Sequence, residues 1–335
     1  MYRDVRRAAL LNIPLSPVTL DAIFARTRDT DTIMRKLIYS AILDQHCFDS
    51  DGAGMGLVHP RVLTIAQREL IIRNGLGDRE PAVRQAAGSL LGTWVDVARG
   101  EVKNDESKSV NDDVLALLSL FDLTESTVAE DALLSVFETR RDIFDHLEFN
   151  GEFSTIHSRS QEITGTFLDD YWASLTPERA FLARVFVEHC VAIKDADKLE
   201  ASLPVVTALA YRIQAAYNAY QEDLEVAEQE RVIRGEPTEE EEDARIDKEF
   251  VIGEMLKVAV NLDYADEIGR RKMFQLVRDM ISQEALPESL VSRCLDVLRM
   301  LSPNERDLIR VVVEVVHELR DLSDEDEILV GGASL

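Results

Sequence analysis

The sequence predicts an all-α fold, an α-solenoid of HEAT-type helix hairpins. Two observations carry this. Helix formers dominate the 335 residues while Gly numbers only 15 and Pro only 9, too few for a turn-rich β protein. The same helix start also recurs. "DVRRAALL" carries Arg6, "TIMRKLIYSAIL" carries Arg35 and "PAVRQAAGSLL" carries Arg84, each Arg preceded by Val or Met. One hairpin cannot bury its apolar face alone, so repeated hairpins stack.

The elements follow in order. Residues 4–13 read as a helix ended by Pro14 and Pro17. Residues 18–28 form a second, with Leu20, Ile23 and Phe24 on one side. A third covers 32–43, and 44–60 is a glycine-containing loop. Helices at 61–75 and 81–99 make the next pair, with Gly75 and Gly77 marking their turn. Leu37, Ile38, Leu90, Leu91 and Trp94 are the expected inter-helix core. The 44–60 loop accounts for the longer spacing from Arg35 to Arg84 than from Arg6 to Arg35.

Residues 1–100 therefore read as HEAT repeats, 101–113 as an acidic linker and 114–234 as helical repeats. Within the last, 150–164 is ambiguous, Thr176 caps a helix opened by Pro177, and a long helix spans 198–234. Residues 235–247 read as an acidic loop and 248–322 as HEAT repeats whose last helix opens on a Ser302-Pro303-Glu305 capping box. A disordered tail covers 323–335. Neither end carries a polar-faced capping repeat, which predicts an internal fragment of a longer array.

Charge is uneven. Residues 1–100 hold 13 Lys/Arg and 11 Asp/Glu, whereas 101–335 hold 24 and 52. The second stretch repels a polyanion, so a nucleic-acid surface is expected only in the first hundred residues. Cys47, Cys190 and Cys294 are odd in number and far apart, which argues against a disulfide framework. No signal peptide opens the chain, and no apolar run approaches the ~20 residues of a membrane span.

Catalytic and metal signatures fail on inspection. "DSDGAGMG" begins like a calcium loop, but Pro60 stands where the bidentate carboxylate belongs. His46, Cys47 and His59 lack a second nearby Cys for zinc. The "EEEED" run at 239–243 reads as a solvated charge run. No phosphate-binding glycine loop with Lys-Ser/Thr is present. No cofactor, metal or catalytic residue is assigned.

Arg6, Arg35 and Arg84 read as a structural ladder, pairing with Asp29 and Asp78 from the turns of their own or the next unit. Arg7 and Lys36 follow ladder residues with no such duty. They are the candidate contacts to DNA phosphates.

The segments "DVRRAALLNIPLSPVTLDAIFARTRD", "RKLIYSAIL", "LTIAQRELIIRNGLGDREPAVRQAA", "SLTPERAFLARVFVEH" and "DEIGRRKMFQLVRDMI" together go further. They resemble the HEAT-repeat, non-SMC condensin subunit family known as chromosome-associated protein G or condensin complex subunit 3. The resemblance runs from Asp4 to about Asp321 and is most specific over 61–94 and 249–298. It implies a non-enzymatic scaffold for chromosome condensation in mitosis. Its partners would be the kleisin subunit, the SMC subunits through kleisin, and duplex DNA held without sequence specificity. It implies residence in the nucleus on chromosomes, with the cytoplasm an interphase alternative. An importin-like receptor for basic cargo is the alternative, mildly favoured by the acidic charge. The Trp-x-x-x-Asn array of armadillo adaptors is absent, since Trp94 is followed by Ala98 and Trp172 by Thr176.

Overall fold

The computed structural model describes residues 2–48, 54–99, 109–124, 127–149, 170–235, 237–283 and 286–332. Among them there is no strand, only an isolated bridge between Phe48 and Met55. The chain divides into two compact units, Met1–Glu148 and Phe149–Leu335. The division falls inside the stretch 114–234 that the sequence reading kept whole.

The first unit holds α1 (Arg3–Asn12), α2 (Pro17–Phe24) with a 3-10 turn (Ala25–Arg28), and α3 (Thr32–Leu37), which continues as a π-helical segment (Ile38–Leu43). Then come α4 (Ile65–Leu76), α5 (Pro81–Val97), α6 (Val110–Leu118), α7 (Val128–Thr139) and α8 (Arg141–Asp145). Helices α4, α5 and α7 pack on one another, and α3 lies against α5. Ile38, Leu90, Leu91 and Trp94 are fully buried, as their helical spacing predicts. Leu37 is only half-buried. The π-helical segment that follows it buries Ile38, Tyr39, Ile42 and Leu43.

Gly75 does not mark the turn. It lies buried inside α4, where a Cβ would stand 2.6 Å from Ala87 and 2.8 Å from the Tyr39 ring. The turn belongs to Gly77, the C-cap of α4. The linker expectation for 101–113 also shortens, since Ser109 caps α6 from Val110 onward.

The second unit holds α9 (Asp170–Ala173), α10 (Pro177–Ile193), α11 (Ala196–Ser202), α12 (Val206–Arg234), α13 (Glu239–Ala259), α14 (Glu267–Ile281), α15 (Glu288–Leu301) and α16 (Glu305–Gly332). Helix α13 packs on α10, α12 and α15, and α14 packs on α12 and α15. Thr176 caps α10, with Pro177 in its first turn. The long helix expected over 198–234 is split, because Pro204 separates α11 from α12.

Three further expectations change for physical reasons. The Glu run at 239–243 is helix rather than loop. Thr238 Oγ1 accepts from the Glu241 amide and Glu241 Oε2 accepts from the Thr238 amide, a complete capping box. Four glutamates in the first turn also oppose the positive end of the helix dipole. The last helix is capped by Asn304, whose Oδ1 accepts from the Asp307 amide, not by Ser302. It then runs to Gly332, through most of the expected tail. The ambiguous stretch 150–164 lies outside the described residues.

Candidate functional site

The geometry of the Arg/Asp ladder starts in the turns. Asp29 Oδ1 accepts from the Asp31 amide, and Asp78 Oδ1 from the Glu80 amide, each at 2.9 Å. These local bonds fix each carboxylate ahead of the next helix. The arginine six residues on folds back onto its own turn. Arg35 Nη1 donates to the Asp29 carbonyl at 2.8 Å, and Arg84 Nη1 to the Asp78 carbonyl at 2.7 Å. Arg35 also reaches the following turn, donating from Nε and Nη2 to Asp78 at 2.5 and 2.9 Å. Arg6 Nη2 stands 3.4 Å from Asp29 Oδ1.

The rungs are unequal. Both side chains of the Arg35–Asp78 pair are 6% exposed. The Arg35 hydrogen bonds hold the Asp78 carboxyl below its usual range, and Asp78 in turn raises Arg35. Arg84 is exposed, and its recorded bond is to a backbone carbonyl rather than the carboxylate expected for it.

Arg7 corrects the sequence reading. It has a structural duty, donating from Nε and Nη2 to Asp31 at 2.7 and 2.8 Å. Asp31 also caps α3 by accepting from the Ile33 amide. The pair spans 24 residues, so no local pattern announced it. Lys36 is exposed and has no carboxylate partner among the described residues.

The metal candidates do not converge. His46 is exposed, its Nδ1 bonded to the Ile42 carbonyl at 2.8 Å. Cys47 is buried and donates to the Leu43 carbonyl, and burial pushes its thiol up to about 12. His59 is buried, and its Nδ1 accepts from the Arg61 amide at 3.2 Å. Among the described residues, no group of three His, Cys, Asp or Glu side chains could hold a metal ion. No helix there is long and apolar enough to cross a membrane.

Sequence reasoning missed a second buried pair. Arg184 Nε donates to Glu254 Oε2 at 2.7 Å, joining α10 to α13, with side chains 5% and 1% exposed. Arg184 also bonds Glu188, and Lys257 bonds Glu254, so the buried carboxylate meets two cations. Partners 70 residues apart leave no spacing signal.

A curated protein of Schizosaccharomyces pombe, condensin complex subunit 3, is 30% identical over 318 residues, covering 94% of this chain and 29% of its own length. Over nearly its whole length, the chain is similar to condensin complex subunit 3. The proteins of that name from Saccharomyces cerevisiae and Homo sapiens are 27% and 26% identical, each over 95% of this chain and over 26% and 27% of their own lengths. A crystal structure of the S. pombe condensin Cnd3-Cnd2 subcomplex matches 98% of this chain and 37% of its own, at TM-score 0.74 and 28% identity. No family model matches. The chain thus spans under a third of these condensin subunit 3 relatives, and shares their helical-repeat fold along nearly all of itself.

Proposed function

We propose that this chain is part of a non-catalytic condensin scaffold that binds the kleisin subunit and, with it, duplex DNA without reading sequence. The observation that carries the proposal is the match of nearly all of this chain to about a third of a solved condensin chain in a subcomplex, Cnd3-Cnd2. We equate Cnd2 with the kleisin. The SMC subunits would be reached through it, and the complex would act on chromosomes in the nucleus. The relatives share the condensin name, and only the acidic charge after residue 100 leans toward the importin-like alternative.

The DNA part rests on charge and exposure. Residues 1–100 are close to electroneutral in an otherwise acidic chain. Within them Lys36 is the sequence-predicted cation that stands exposed without a carboxylate partner among the described residues. Arg7 is the weaker choice, since a phosphate would have to compete with Asp31.

Co-expression with the kleisin from the same source is expected to give a stable complex, and two independently eluting proteins would refute the scaffold reading. In that complex, Lys36→Glu is expected to weaken all duplex sequences alike. It should flatten the slope of log affinity against log salt by about one unit if Lys36 meets one phosphate. Reversal of Arg310 and Arg320 is the control and should change the slope much less. The opposite pattern would move the DNA surface to the other unit.

A further inference from the structure

We propose that a strip along α12 and α14 docks a peptide segment of another chain, one with an apolar anchor flanked by carboxylates. The two helices meet closely where Gly269 faces Val206, since a Cβ on Gly269 would stand 2.9 Å from the Val206 Cβ. Their neighbours on the rim, Val205 and Ile268, are 63% and 75% exposed. One turn further on, Lys272 Nζ lies 4.9 Å from the centroid of the Tyr211 ring, itself 63% exposed. Ile268, Arg271 and Lys272 share one face of α14, at i, i+3 and i+4, opposite the buried Met273, Leu276, Val277 and Met280.

The strip therefore sets three exposed apolar side chains beside two cations. Lys272 has no carboxylate partner among the described residues. Among the described residues Arg271 holds only Glu267, at 2.8 Å with side chains 80% and 68% exposed, a surface pair that an incoming carboxylate can replace. Two acids close in sequence are held by backbone amides, Asp266 accepting from Ile268 and Gly269 and Asp263 from Ala265.

Charge complementarity selects the occupant. Residues 101–335 hold 52 acidic side chains against 24 basic ones, so the stretch as a whole disfavours an acidic peptide while Arg271 and Lys272 offer it a local pair of cations. A duplex has no use for an exposed Ile, Val and Tyr, because its backbone is held by cations and hydrogen-bond donors. It would also meet the repulsion of the acidic surroundings over a far greater length. The inference goes beyond the condensin reading and does not depend on where DNA binds.

The probe is a fluorescein-labelled peptide with a central Leu-Phe pair flanked by Glu, alongside its Gln-flanked and Lys-flanked counterparts. Fluorescence anisotropy on the full chain is expected to show the Glu peptide binding about tenfold more tightly than the Gln peptide, a difference of about 1.4 kcal/mol. Arg271→Glu with Lys272→Glu should remove that preference, and Tyr211→Ala with Ile268→Ser should weaken both peptides. Lys36→Glu should change neither. Circular dichroism checks that the variants stay folded, which exposed positions favour. Equal binding of the Glu and Gln peptides, or binding indifferent to the strip substitutions, overturns the proposal. So does duplex DNA binding that Arg271→Glu with Lys272→Glu abolishes while no peptide binds, which would assign the strip to phosphate. A self-association broken by Tyr211→Ala would equally overturn it in favour of a second copy.

Discussion

Helices α3 and α14 begin alike and end up in different surroundings. One starts Asp31-Thr32-Ile33-Met34-Arg35-Lys36, the other Asp266-Glu267-Ile268-Gly269-Arg270-Arg271. Both aspartates cap their helices. Arg35 is buried and holds Asp78 in the α4–α5 turn, whereas Arg270 is exposed without a carboxylate partner among the described residues. The turn of the following hairpin supplies the difference. Asp78 sits in the first case, while Ser302, Pro303 and Asn304 offer no carboxylate in the second. A ladder arginine is thus defined by the next repeat, not by its own helix.

The largest test breaks the paired rung. Asp78→Ala leaves Arg35 buried without its carboxylate, and is expected to cost about 3–5 kcal/mol by chemical denaturation. Arg270→Ala should stay within about 0.5 kcal/mol. Similar costs for the two would mean that Arg35 relaxes to solvent and the contrast is false.

Core packing comes next. Leu91→Ala, in the fully buried seam of α5, is expected to cost about 2–5 kcal/mol. Leu37→Ala should cost clearly less, because Leu37 is only half-buried. Equal losses would mean that Leu37 is packed as tightly as Leu91.

Acid titration sharpens the comparison further. The folded Asp78 carboxyl titrates below the ordinary aspartate value, chiefly through its hydrogen bonds from Arg35. Its contribution is therefore full above that unfolded value and is lost as pH falls through the lower folded one. The stability gap between the wild type and Asp78→Asn should narrow over that acid window. A gap independent of pH would mean that the charge of Asp78 contributes nothing.

The smallest effect concerns the open end of the ladder. Arg84 is exposed and its recorded bond is to the Asp78 carbonyl, so Arg84→Ala should cost about as little as Lys36→Ala, each within about 0.5 kcal/mol. A loss of several kcal/mol on Arg84→Ala would show a further rung beyond α5.

The sequence by itself determined what depends on nearest neighbours along the chain. The all-α class, the Thr176 cap, and the buried Ile38, Leu90, Leu91 and Trp94 follow from 3.6-residue periodicity and from caps that bond two or three residues away. The Thr238–Glu241 capping box was legible too, but the acidity of 235–247 masked it. Likewise, an Asp cap followed by Arg four residues into the turn marks α14 as another repeat of the α3 start. Only the tertiary structure decided partners. Arg7 with Asp31, Arg35 with Asp78, and Arg184 with Glu254 join residues 24, 43 and 70 positions apart. Which carboxylate meets which guanidinium depends on how hairpins stack, and stacking is set by apolar surface that bears no local mark of the charge it will bring alongside.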